Sequence, residues 1–443
     1  MSALKRGLVI LVAVVIGCSG IVWAGSIKDH PWPKRPAVGP CIFPATKHLF
    51  DGETLDGWEV RSGFAKFHVE DGAIVGTTVP GSPNTFLCTK EEYADFDLRF
   101  EVKVDPGLNS GVQIRSHAYG EDTTVMPWGG GEERRHKAGR VFGYQVEIAS
   151  GTHSGSIYDE ARSATWLYDA SGDPNASSAF KDGQWNRFWI RCSGAMIQTW
   201  VNDVQCAEIY DPRDQGGFIG LQVHSYSGQS PAQVRWRRIR VGPLGRHDWT
   251  PMFDGRSLEG WTPTPGGRWE VRDGILIGTH SASDSRRGLL VSEWQASNFS
   301  VRFSFKAVEG NSGFCFRFKR GPRDDGVRGL QAEIDAAEDV GGLYDGGGRG
   351  WVVRPSPADV KRWFRSGQWN TMTVMAHFGQ VAVFVNGRRT ADLNETPERR
   401  PGQPLRPLRR WPKGFALELP GGQDVEVHFK DIEILEYQWP EDK

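Results

Sequence analysis

The sequence predicts an all-β protein made of two tandem sandwich domains, and three observations carry that prediction. The first is repetition. Phe50-Asp51-Gly52-Glu53-Thr54-Leu55-Asp56-Gly57-Trp58 returns as Phe253-Asp254-Gly255-Arg256-Ser257-Leu258-Glu259-Gly260-Trp261. Four further landmarks recur in the same order: residues 69–77 as 271–279, Asn109-Ser110-Gly111 as Asn311-Ser312-Gly313, Gln145-Val146-Glu147-Ile148 as Gln331-Ala332-Glu333-Ile334, and Gly183-Gln184-Trp185-Asn186 as Gly367-Gln368-Trp369-Asn370. A spacing of about two hundred residues is that of a whole domain, not of a solenoid unit. The second observation is period-2 alternation with hardly any long 3.6-residue periodicity. The third is the turn chemistry between the alternating runs, such as Asp71-Gly72, Asp182-Gly183 and Asn386-Gly387. Many strands of even length joined by short turns indicate an antiparallel sandwich or jelly roll.

From the N-terminus, residues 1–24 read as an export signal, with Lys5 and Arg6 ahead of an apolar run, Leu8 to Ile16, that is short for a membrane span. Two processing sites fit. Val22-Trp23-Ala24 resembles a signal peptidase site, and Val15-Ile16-Gly17-Cys18 a bacterial lipobox that would place a lipid anchor on Cys18. Either way the protein is expected to be exported: periplasmic, cell-surface or secreted. Residues 25–44 are a proline-rich linker. The first domain is placed at 45–243, with clean strands at Phe96–Val104, Gly111–Ser116, Tyr144–Ile148, Phe188–Cys192, Ile197–Val201 and Val234–Val241. A hairpin is expected around Ser193-Gly194. A short joint, Pro243-Leu244-Gly245-Arg246, leads to the second domain at 247–437, with its own hairpin around Phe378-Gly379. The six cysteines form neither a disulfide framework nor a zinc pattern, and Cys315 reads as a buried thiol.

A formal charge of −1 gives no support for a nucleic-acid partner. Alternation assigns the sheet faces. Val112 and Ile114 point to the core, and Gln113, Arg115 and His117 away from it. Val146 and Ile148 point in, Gln145 and Glu147 out. The second domain repeats this with Arg317 and Lys319 on one strand and Gln331, Glu333 and Asp335 on another. Each domain thus offers a polar arginine-plus-carboxylate face. After it come Tyr158, Asp159, Glu160 and Arg162, matched by Tyr344, Asp345 and Arg349. Such a set suits sugar hydroxyls, which need paired donors and acceptors, while the aromatic ring stacks on a pyranose.

With these motifs, Gly220-Leu221-Gln222-Val223-His224 and Asn202 in view, the chain resembles the 3-keto-disaccharide hydrolase domain family over nearly all of 48–241 and more loosely over 251–436. The resemblance implies two concanavalin-like jelly-roll domains, an exported bacterial protein, a carbohydrate partner and cleavage of glycosides already oxidised at sugar carbon 3. A ketone at C3 acidifies the C2 proton, so a base can remove it and the C1 substituent can leave; water then adds to the unsaturated sugar. That chemistry needs a base, a donor for the enolate oxygen and an acid for the leaving group. In domain one the expected base is Glu147 or His224 and the expected oxyanion donor Arg115. Gln145, His117, Tyr158, Asp159, Glu160 and Arg162 would contact the sugar, as would Arg317, Glu333, Asp335, Tyr344, Asp345 and Arg349 in domain two. No cofactor is certain; a divalent metal could replace the arginine, with no ligand set in evidence.

Domain two has Gly346 where domain one has Glu160, and Pro420 where it has His224. That favours domain one as the enzyme and domain two as a binding or degenerate copy. Two alternatives stand beside this reading. One is a non-catalytic carbohydrate-binding tandem. The other rests on Glu333-Ile334-Asp335-Ala336-Ala337-Glu338, which resembles the E-x-D-x-x-E motif of laminarinase-type retaining hydrolases.

Overall fold

A computed structural model of the 443-residue chain describes residues 46–125, 127, 132–228, 231–320, 327–377, 379–394 and 414–437. The export signal with Cys18, the linker with Cys41, and the basic, proline-rich stretch 399–410 expected as a loop of domain two lie outside them.

Each half is a sandwich of a front sheet with seven strands and a back sheet with eight. In domain one the front sheet runs, from edge to edge, Trp166–Tyr168, Ile157–Glu160, Val141–Ala149, Asn109–Ala118, Phe218–Val223, Thr85–Thr89, Trp58–Arg61. In domain two the same order is Gly350–Val353, Leu343–Asp345, Val327–Asp335, Asn311–Arg320, Gly414–Leu419, Gly288–Ser292, Trp261–Pro263. Every strand of one sheet has its counterpart in the other, so the fold class expected from the repeat is the one observed. All pairings are antiparallel, and both expected hairpins form, Asn186–Ser193 with Met196–Val201 and Asn370–His377 with Gln380–Val385.

The core of domain one lies between the sheets. Val112, Ile114, Val146, Ile148 and Leu221 of the front meet Phe96, Leu98, Phe100, Phe188, Ile190 and Trp236 of the back. Each such side chain taken fully out of water stabilises the fold by about 1.5–3 kcal/mol. In domain two Phe314, Phe316, Phe415 and Leu417 meet Phe303, Phe305, Val374 and Phe429.

Most of the repeated motifs build this scaffold. Asp51 Oδ1 accepts from the Glu53 and Thr54 amides at 2.8 Å each, and the Trp58 indole donates to the Leu49 carbonyl at 2.8 Å. Asp254 and Trp261 repeat both devices. Asn186 accepts from the Lys181 amide at 2.7 Å and donates to the Lys181 and Gln184 carbonyls, a clamp that Asn370 reproduces. The domains meet where Ala195, Met196 and Tyr210 pack on Met375, Ala382, Phe384 and Tyr437; Tyr210 stacks on His377 with centroids 4.3 Å apart.

Candidate functional site on the front sheet

The outward face of the front sheet in domain one holds a directed chain of amides. The Ser116 hydroxyl donates to Gln113 Oε1 at 2.7 Å. Gln113 Nε2 and Gln222 Nε2 both donate to Gln145 Oε1, at 2.7 and 2.8 Å. Gln145 Nε2 then donates to Glu147 Oε2 at 3.0 Å, and Asn109 Nδ2 donates to Glu147 Oε1. Both oxygens of Glu147 are therefore fixed by amide donors. Burial nonetheless raises the carboxyl above its ordinary value, opposed by those two donors.

The Asn-Ser-Gly motif explains how the chain lies flat. Asn109 holds Glu147, Ser110 donates to the Gln222 carbonyl at 2.7 Å, and Gly111 leaves room for Gln145. A Cβ at Gly111 would sit 2.7 Å from Gln145 Cδ. Asn311, Ser312 and Gly313 do the same for Glu333, Glu418 and Gln331.

Around Glu147 the remaining groups divide. Tyr158 is the cross-strand partner of Gln145 and meets Trp166 edge-on at 5.2 Å. The pair Tyr344 and Trp351 repeats this at 5.5 Å. His224 follows the strand on Gln222's side, and its Nδ1 donates to the Ser225 carbonyl at 2.7 Å, which leaves the lone pair on Nε2. Glu160 accepts from Asn84 Nδ2 at 3.2 Å and from Arg140. Three buried polar atoms on this face have no hydrogen-bond partner: Gln222 Oε1, Asn109 Oδ1 and Arg140 Nη1. Unsatisfied buried groups are costly, so a cluster of them marks a place where a polar ligand completes the set.

Several expected site residues lie elsewhere. Arg115 does not join the polar face. It takes up a left-handed conformation, φ 46°, at a bulge that shifts the register on both sides of its strand. The bulge reverses the alternation: Gln113 and Ser116 share the outer face, and Arg115 and His117 turn the other way. Arg115 is fully buried and donates to the carbonyls of Ala94 (2.6 Å) and Gly194 (2.5 Å) and to Asp95 (2.5 Å). Asp95 in turn accepts from His247 of the second domain's first residues. Arg317, at φ 49°, repeats the bulge and donates to the Ser297 carbonyl at 2.8 Å.

Asp159 and Arg162 also leave the site. Strand alternation turns Asp159 away from Tyr158 and Glu160 into a buried ion network. Arg162 binds Asp159 at 2.9 Å and Asp214 at 2.7 Å, and Arg213 bridges Asp159 and Asp211. His117 approaches Asp214 at 3.5 Å, and that carboxylate raises its basicity. Asp345 and Arg349 pair likewise. Asp335 caps a turn, accepting from the Ala337 and Glu338 amides at 2.6 and 2.8 Å, and Glu338 is exposed. The E-x-D-x-x-E spacing therefore does not gather three carboxylates on one face. Among the described residues no group of three or more His, Cys, Asp and Glu is placed to hold a metal ion. Cys315 is a buried free thiol, as expected.

Arg140 is the residue that sequence reasoning missed. It lies at the end of a polar loop, and only the fold brings it to Glu160 and over the Phe86 ring, 5.5 Å from its centroid. The second domain differs in charge as well. Glu333 has Asn311 as donor at 3.1 Å, and Glu418 stands where Gln222 does. Burial, with the Glu418 charge adding to it, pushes Glu333 up to about 8. Between its ordinary value of 4.5 and about 8 the native state holds a proton that the unfolded chain has lost, so stability falls as pH rises through that window. Thermal denaturation between pH 5 and pH 9 is expected to show this slope in the second domain, and Glu333→Gln to flatten it. An equal slope in both chains would assign it to other groups.

Solved structures match one half of the chain each, at low identity. A protein of Parabacteroides distasonis ATCC 8503 described as a candidate glycosyl hydrolase is 20% identical, with 43% of this chain and 94% of that one covered and a TM-score of 0.32. The carbohydrate-binding module CBM66 of Bacillus subtilis is 11% identical over 42% and 95%, TM-score 0.30. A Bacillus subtilis protein of galectin-like fold is 16% identical over 43% and 94%, TM-score 0.31. No curated protein matches the chain in sequence. The 3-keto-alpha-glucoside-1,2-lyase-like domain, however, matches twice, over 45–242 and 248–435, so that both sandwiches, and the chain with them, belong to that family.

Proposed function

We propose that domain one cleaves 3-keto-glycosides by elimination and hydration, as an exported enzyme. The observation that carries this reading is the Glu147 carboxylate, buried and fixed by two amides beside the unpartnered atoms Gln222 Oε1, Asn109 Oδ1 and Arg140 Nη1. The two oxygens accept from substrate hydroxyls, and the guanidinium donates to the ketone oxygen. Glu147 removes the C2 proton, and the electron pair moves into the enolate that Arg140 stabilises. The C1–O bond then breaks, and the Tyr158 hydroxyl, which burial keeps protonated, supplies a proton to the leaving oxygen. His224, with its lone pair on Nε2, takes a proton from the water that adds at C1, and Glu147 returns the proton it took to C2, which restores the saturated 3-keto sugar.

Arg140 thus replaces Arg115 as the oxyanion donor, and Glu160 serves as its positioning partner. Arg140→Ala is expected to lower kcat by about 10²–10³-fold, the scale of removing one preorganised donor, with folding intact by circular dichroism. His224→Ala should slow hydration more than elimination, so that the unsaturated sugar accumulates and is seen by its ultraviolet absorbance. The test of the whole reading is incubation with 3-keto-trehalose and methyl 3-keto-α-glucoside. Release of the keto sugar supports it. Binding of sugars with no release would assign the chain to non-catalytic carbohydrate binding, for which the Tyr158–Trp166 edge would be the platform.

A further inference from the structure

The second domain carries an arginine–glutamate pair on its front face that is built from different strands than the pair in the first. In domain one Arg140 precedes the strand Val141–Ala149 and is held by Glu160. In the sequence register that aligns Gly143-Tyr144-Gln145 with Gly329-Leu330-Gln331, a glycine, Gly326, stands for Arg140, and Gly346 stands for Glu160, so the sequence keeps neither member at its position. Two strands further across the sheet the reverse exchange has occurred. Arg287 stands at the position of Asn84 and Glu418 at that of Gln222, since Gly288 pairs with Leu419 as Thr85 pairs with Val223. Arg287 and Glu418 form an ion pair, with Nε 2.8 Å from Oε1. Glu418 is 2% exposed, and a carboxylate taken out of water without its partner would be strongly destabilising.

A copy drifting without function has no reason to lose one ion pair whole and gain another whole, with a buried glutamate at its centre. The floor beneath is kept: Asn311 on Glu333, Gly313 under Gln331, Tyr344 against Trp351. In domain one the guanidinium pairs with Glu160 at the Ile157–Glu160 edge of the sheet; in domain two it pairs with Glu418 on the side of the Gly288–Ser292 strand.

We propose that domain two is a second glycoside site, in which Glu333 takes the place of Glu147 and Arg287 presents its guanidinium to the sugar from the opposite flank. The same class of ketone-bearing sugar is bound there with its ring turned end for end. This rests on the reading of domain one above.

The experiment is isothermal titration of the full chain carrying Glu147→Gln and Glu333→Gln, which stops turnover, with methyl 3-keto-α-glucoside. Two ligands per chain are expected. Adding Arg140→Ala should leave one, adding Arg287→Ala should leave one, and adding both should leave none. One ligand per chain that Arg140→Ala removes and Arg287→Ala does not overturns the second site alone, and so do two ligands unmoved by Arg287→Ala. No binding at all overturns the domain-one reading together with this one. Arg287→Ala/Glu418→Gln, which restores the amide of domain one and leaves no unpaired charge, decides the matter should Arg287→Ala unfold the domain.

Discussion

Glu147→Gln is expected to lower kcat on methyl 3-keto-α-glucoside by about 10²–10⁴-fold, the range that a positioned proton-transfer group contributes. The substitution is isosteric, so the core beneath Val146 and Ile148 is untouched. What it removes is a basic oxygen at the end of the amide chain. Gln145 Nε2 and the Asn109 amide both donate into this group, and an amide nitrogen placed against either would face donor to donor. Hence Glu147→Gln should also raise KM modestly, whereas Glu147→Asp should keep KM and lose rate by misplacement. Because burial raises the Glu147 carboxyl above its ordinary value, kcat in the wild-type chain should fall as pH drops through that raised value. Release of keto sugar, followed against pH, reads both effects. A Glu147→Gln rate within a few-fold of wild type would remove it as the base and leave His224 in its place.

Arg115→Ala has the largest expected effect on stability, about 3–5 kcal/mol, the cost of removing one member of a buried ion pair. Asp95 would lose its main cation while staying 3% exposed, and the Ala94 and Gly194 carbonyls would lose their donor. Arg115→Lys is expected to rescue little, because a single ammonium cannot reproduce a planar fork that addresses four separate acceptors. Urea denaturation followed by tryptophan fluorescence measures the loss. The rate per folded molecule should be unchanged, since Arg115 points away from Glu147. A stability loss below about 1 kcal/mol would show that the pair contributes no more than a surface bridge.

The fold was legible because its signals are redundant. Alternation, turn residues and an ordered repeat all point to the same sandwich, and each strand of one domain could be checked against its counterpart. The site was legible only as far as alternation holds. Glu147, Gln145, Tyr158, Glu160, Glu333 and Tyr344 occupy the face that period two gives them. Arg115, His117 and Arg317 do not, because a single left-handed residue reverses the count, and nothing in Gln113-Ile114-Arg115-Ser116 marks a bulge in advance. Asp159 follows alternation too; pairing it with Tyr158 in one site overlooked that neighbours on a strand face opposite ways. Arg140 was invisible for another reason. Its partner Glu160 is twenty residues on, and only the meeting of two adjacent strands joins them.

Gly111 and Gly313 give the tandem a property that none of its charged residues has. Each is the empty space into which a glutamine lies, and a single methyl group at either position would lift that glutamine off the sheet. Gly111→Ala and Gly313→Ala are therefore a matched pair of silencers, one per domain, that alter no acid, base or donor. Turnover that survives one and not the other would locate the chemistry by shape alone, and two half-losses would show both halves at work.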